Sequence, residues 1–136
     1  MPAGRSRLAR TSVLRRQLRA LDGQREACLE DLLGLRDLFA ASLSIVYRTC
    51  GKERCVCTRG RPHGPYYFLS IQSGGRNDRD HVSAEEARRM QPAIDRYRRF
   101  VRGLQRLRSL DRQIESLARG LQTQCETRST KSFTTS

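Results

Sequence analysis

From Leu14 the apolar positions fall at Leu14, Leu18, Leu21, Cys28, Leu32, Leu35 and Phe39, in alternating steps of four and three, and Arg25 takes the one slot that breaks the series. That spacing is a heptad seam and predicts a long helix through Phe39. Gly23 and Gly34 each cost such a helix about 1 kcal/mol relative to alanine, so packing against a partner must offset them. A second helix is announced by the run Ser83–Ala84–Glu85–Glu86. Ser83 can cap the first free amides while Glu86 reaches back to the cap. Its stripe runs through Met90, Ile94, Tyr97, Phe100 or Val101, Leu104, Leu107, Leu110, Ile114, Leu117 and Leu121, with a one-residue slip between Leu107 and Leu110 that should disturb a supercoil locally.

Between these stretches the period changes from helical to alternating. Residues 42–49, with Leu43, Ile45 and Tyr47 on one side, and residues 65–72, rich in aromatic and branched side chains, read as strands. Residues 73–78 read as a turn, and the short run from Arg79 to Ser83 supplies a brief third strand. Two striped helices flanking a short middle segment most economically form an antiparallel hairpin, with dimerisation through either stripe as the competing arrangement. The expected fold class is therefore α+β: two long helices as an antiparallel coiled-coil-like hairpin, with a small antiparallel β-meander and a zinc knuckle between them. One domain is expected over residues 1–121, with its central segment at 42–82, followed by a disordered polar tail at 122–136 that is rich in Ser and Thr and lacks periodicity.

Charge adds the next constraint. The 136-residue chain carries 27 basic against 14 acidic side chains, a net charge of +13, and all the bases except Lys52 and Lys131 are arginine. Clustered cations favour polyanionic partners, nucleic acid before membrane, because binding releases counterions condensed on phosphates. A GC-rich genome would also enrich arginine. No run approaches the roughly eighteen apolar residues of a membrane span, and the N-terminal stretch lacks the apolar core of a secretory signal. A cytoplasmic protein with no membrane partner is expected. No Gly-rich phosphate loop, paired carboxylates or nucleophile with an obvious histidine stands out, so no catalytic residues are assigned and an enzyme is not expected.

The candidate chemistry sits between the first two strands. Cys50, Cys55, Cys57 and His63 place three thiols and an imidazole within fourteen residues of a chain with five cysteines and two histidines. Three thiolates and one imidazole form a tetrahedral zinc set with no open position, which makes a bound Zn2+ structural. The single-residue gap from Cys55 to Cys57 departs from the two-residue gap of zinc knuckles. Two other readings stay open: a Cys55/Cys57 redox dithiol activated by Lys52, Arg54 and Arg59, or unpaired cysteines packed as small apolar groups. His81 reads as an exposed polar residue, Cys28 as a packed seam residue, and Cys125 lies in the tail.

The run from Tyr47 to Ser70, with the later Gly74–Gly75–Arg76 and the segment from Ile94 to Phe100, resembles a family of small, uncharacterised bacterial proteins often encoded near transposases and other mobile elements. The similarity covers roughly residues 43 to 104. The matching positions are Cys50, Gly51, Lys52, Cys55, Cys57, Gly60, His63, Gly64, Pro65 and Tyr66, and the departure lies in the segment from Gly74 to Ser83, where the family has a basic, valine-rich third strand. The resemblance implies a fold and a mobile-element setting.

Arg48, Lys52, Arg54, Arg59 and Arg61 surround the cysteine cluster against the single Glu53, and Arg98 and Arg99 add cations on the second helix. Guanidinium groups on a rigid loop suit phosphate oxygens through paired hydrogen bonds. Tyr66, Tyr67 and Phe68 offer stacking surfaces, but alternation sends Tyr66 and Phe68 to one face and Tyr67 to the other, and at least one face must be core. Part of the helical arginine excess should be a solvated face paired across to Glu26, Glu30, Asp31 and Asp37. The expected function is nucleic-acid binding as an accessory or regulatory protein of a mobile element. The alternative is a coiled-coil interaction module that forms a homodimer or docks a transposase-like partner without touching nucleic acid.

Overall fold

A computed structural model describes the backbone of residues 2–126 and side chains from residue 6 onward. Two long helices, α1 (Pro2–Gly34) and α2 (Ala84–Glu126), enclose in sequence a three-stranded antiparallel sheet of β1 (Ala41–Arg48), β2 (His63–Ser73) and β3 (Arg76–Val82), in the order β1-β2-β3. The α+β class and the meander between helices are as expected. The chain divides into two compact units, Met1–Gly34 with Val101–Ser136 and Leu35–Phe100, and α2 runs unbroken through both.

In the first unit the helices are antiparallel, since contact positions rise along α1 as they fall along α2. Leu14 lies against Gly120, Arg25 pairs with Asp111, and Cys28 and Leu32 meet Gly103. Arg25, the residue that interrupts the apolar series, stays in the seam because its Nε lies 2.7 Å from Asp111 Oδ1. Cys28 is buried, as expected of a seam residue, with its thiol 3.4 Å from the Gly103 carbonyl. At Gly103 the seam is tightly filled: a Cβ there would stand 2.6 Å from Leu32 Cδ2.

The expected cross-helix pairs to Glu26, Glu30, Asp31 and Asp37 do not form among the described residues. Cross-helix polarity is reversed, with an arginine of α1 meeting an aspartate of α2, and two further ion pairs, Arg89–Glu85 and Arg119–Glu115, lie within α2. α2 also continues past Leu121 to Glu126, where Thr123 Oγ1 donates to the Arg119 carbonyl and Gln122 bonds Glu126. The part of the expected tail beyond residue 126 lies outside the described residues.

The first helix ends earlier than its seam. Gly34 closes it, Asp37 takes a positive φ of 55°, and the guanidinium of Arg96 holds the Asp37 carbonyl through two bonds of 3.1 and 3.3 Å. Leu35 and Phe39, read as the last seam positions, therefore leave the helix; the Phe39 amide bonds the Ala93 carbonyl and its ring joins the core of the second unit. That core is Leu69, Val82, Ala87 and Ile94, with Leu43, Tyr67, Ile71 and Met90 packed around it. Alternation explains the set: Leu43 pairs with Leu69 and Tyr67 with Val82, so all four project from one face of the sheet towards the start of α2. The capping box forms as read, Ser83 N to Glu86 Oε2 at 3.0 Å and Glu86 N to Ser83 Oγ at 3.1 Å.

The third strand is longer than the sequence suggests. The turn is two residues, Gly74 and Gly75, both at positive φ, with Ser73 paired to Arg76. Two adjacent positive φ values match the twist of a tight hairpin, so pairing begins at Arg76 and not at Arg79.

Candidate metal centre

The loop from β1 to β2 is shaped by the hairpin that carries it. Val46 pairs with Tyr66 but Arg48 pairs with His63, so β2 holds one extra residue around Gly64–Pro65. A bulge suits Pro65, which has no amide hydrogen to give the ladder. Gly64 sits at φ 139°, and a Cβ there would lie 2.9 Å from the Val46 carbonyl and 3.0 Å from the Tyr47 ring. Only glycine fits this approach, which sets His63 level with the end of β1, two residues before Cys50.

The loop then folds back on itself. The Cys55 amide bonds the Lys52 carbonyl at 3.1 Å, and a short 3-10 turn follows from Val56 to Arg59. Thr58 closes that turn by bonding the Cys55 carbonyl with both its amide and its hydroxyl, at 3.1 and 2.7 Å. This curl resolves the single-residue gap: Cys55 stands before the turn and Cys57 inside it, so both sulfurs reach the same point despite their close spacing. One ligand atom from each of Cys50, Cys55, Cys57 and His63 lies within 4.8 Å of all the others. Cys50 Sγ is 3.5 Å from Cys57 Sγ, and Cys55 Sγ is 3.1 Å from His63 Nε2. Cys57 is 3% exposed and forms the floor of the cluster, while Cys50 and His63 lie open to solvent.

Two of the three sulfurs are tuned in opposite directions. The Lys52 backbone amide, followed by His63, Cys55 and Cys57, lowers the Cys50 thiol to about 6. The Cys50 amide, 3.4 Å from Cys57 Sγ, favours the Cys57 thiolate, but burial and the neighbouring sulfurs outweigh it and the Cys57 thiol is raised. Three sulfurs and an imidazole nitrogen converging in this way make a soft donor set able to hold a metal ion.

Of the cationic residues picked from the sequence, Lys52, Arg54, Arg59 and Arg61 are exposed on the ligand loop. Arg48 lies at the end of β1 with its guanidinium 5.1 Å from the centre of the Phe68 ring. Arg98 and Arg99 are exposed on α2, outside the loop. The sequence alone assigns no binding role to Arg79, which stands 4.4 Å over the same Phe68 ring, or to His81, whose ring meets Phe68 edge-on at 5.4 Å. Both lie in the short third strand expected at Arg79–Ser83, but setting them beside Phe68 needs the register of β3 on β2, which alternation along one strand does not supply. His81 is exposed, as read, and stands outside the ligand group. Among the described residues, no helix is long and apolar enough to cross a membrane.

No curated protein and no solved structure matches the chain. Residues 13–92, more than half of the chain and including all four candidate ligands, match a domain of unknown function, and on that match the chain belongs to the DUF6788 family.

Proposed function

We propose that the chain is a nucleic-acid-binding protein whose cationic loop is fixed by a structural Zn2+ held by Cys50, Cys55, Cys57 and His63. The observation that carries this reading is the convergence of four donors on one loop whose remaining charged residues, Lys52, Arg54, Arg59 and Arg61, are exposed and opposed by Glu53 alone. The edges of a tetrahedron with zinc–sulfur bonds of about 2.3 Å measure roughly 3.8 Å, close to the separations of the donor atoms. A metal there contributes folding free energy directly, which suits a fourteen-residue segment with a single buried side chain, Cys57. Held rigidly, the loop offers its cations to phosphate at a small entropic cost. The mobile-element setting rests on the sequence resemblance.

The helical stripes support a docking role less well. Leu29 and Leu33 are exposed one turn apart on α1, but the positions one heptad before them are Asp22 and Glu26, so the pair does not extend into a second seam. The test couples metal and affinity. Purified protein should contain about one zinc per chain, a Cys55→Ser variant should lose it, and the zinc-loaded protein should bind DNA or RNA with an affinity that falls steeply as salt rises. A metal-free native protein, or one that no nucleic acid retains at low salt, would overturn the reading.

A further inference from the structure

The sheet has a second face, and its chemistry differs from the first. Residues pairing across the strands share a face, so Val46 with Tyr66, Ser44 with Phe68 and His81, Ser42 with Ser70 and Arg79, and Gln72 with Asn77 project away from the Leu69 core. Alternation separates the charges of β3. Asp78 and Asp80 pair with Ile71 and Leu69 on the core side, while Asn77, Arg79 and His81 belong to the other, so that face carries cations and no carboxylate.

Three aromatic rings lie together there. His81 is 5.4 Å from Phe68 and 6.2 Å from Tyr66 between ring centres, and Arg48 and Arg79 both stand over Phe68. A shallow cleft of about 370 Å³ opens between them and the end of the ligand loop, lined by Arg48, Cys50, His63, Tyr66, Phe68 and His81. Tyr66 remains 37% exposed and Phe68 is half-buried, whereas Tyr67 packs on the core side. Aromatic groups interleaved with unopposed guanidiniums match the two surfaces of a single strand, whose bases stack and whose phosphates need cations. A duplex hides its bases from such a surface.

We propose that this open face is a stacking platform for single-stranded nucleic acid, with bases lying against Tyr66, Phe68 and His81 and phosphates met by Arg48 and Arg79. The proposal rests on the nucleic-acid reading above and narrows it to single strands. From Tyr66 to Gln72 the face is about 20 Å long at about 3.3 Å per residue, which suits two or three stacked bases.

Fluorescence anisotropy of short labelled oligo-dT and oligo-U and of a duplex of equal length, titrated with the full chain at several salt concentrations, tests this. Both single strands should bind about tenfold or more tightly than the duplex. Phe68→Ala should weaken single-strand binding roughly five- to a hundredfold with an unchanged salt slope, the loss expected for one stacked base. Arg79→Ala, which alters an exposed side chain and leaves the core intact, should weaken binding and make the salt slope shallower by about 0.7. Equal binding of duplex and single strands, with Phe68→Ala and Arg79→Ala both neutral, would overturn the platform while leaving loop-mediated nucleic-acid binding in place. Failure to bind any nucleic acid overturns both. Intact binding by these variants together with loss of self-association would make the face a contact between copies, and that too overturns it.

Discussion

Cys50 and Cys57 lie 3.5 Å apart, yet their surroundings push them in opposite directions, Cys50 down to about 6 and Cys57 upward. At neutral pH Cys50 is already a thiolate, ready to meet a cation, whereas Cys57 must surrender its proton to become a ligand. Metal binding near pH 7 should therefore release protons, and the apparent affinity should fall with acid. The sign follows from ligand chemistry: protons and metal compete for the same sulfur lone pairs, so lowering pH always favours the metal-free form. As pH falls through about 6, Cys50 joins the competition, and the slope of log affinity against pH should steepen by about one proton. Zinc titration by calorimetry in buffers of differing ionisation enthalpy measures the released protons, and competition with a chromophoric chelator across pH measures the slope. A flat profile between pH 5 and 7 would mean that the sulfurs are not the ligands.

At the level of the elements, glycines with opposite surroundings separate propensity from packing. Gly23 of α1 has nothing within 4 Å of where a Cβ would stand, whereas the Cβ of a residue replacing Gly103 would press on Leu32. Gly23→Ala should stabilise the helical unit by up to about 1 kcal/mol through propensity alone. Gly103→Leu should destabilise it by about 1 to 3 kcal/mol, because added volume in a filled seam forces the neighbouring side chains from their rotamers. Thermal unfolding followed by circular dichroism would show a rise in midpoint for the first and a fall for the second. The elements also show which information is local. The capping box at Ser83, the apolar stripe of α2 and the ligand set on the first loop were legible because each depends on residues a few positions apart. The end of α1 was not, because it depends on Arg96 holding the carbonyl of Asp37, residues 59 apart in sequence. The open face was legible only in part: alternation parted Tyr67 from Tyr66 and Phe68, but which side became core depended on strand register, and with it whether Arg79 and His81 would join the rings.

Over the whole chain, helix and metal loop draw their stability from different sources. The helices span 33 and 43 residues and include none of the candidate ligands, whereas the loop between Arg48 and His63 has few backbone bonds of its own and one buried side chain, Cys57. Chelation should therefore act locally. Adding a strong chelator to zinc-loaded protein should leave the far-UV helical signal nearly unchanged, while amide hydrogen exchange rises through residues 49–62 and into the paired ends of β1 and β2. Protection around Leu69 and Ile71 should persist, since that part of the sheet is held by the Phe39, Val82 and Ile94 core. The same experiment separates the two proposed nucleic-acid surfaces. If the loop cations carry most of the affinity, chelation should weaken binding by releasing them from their fixed geometry. If the rings of the open face carry it, single strands should still bind the chelated protein, with Phe68→Ala remaining the substitution that lowers the preference for single strands over duplex.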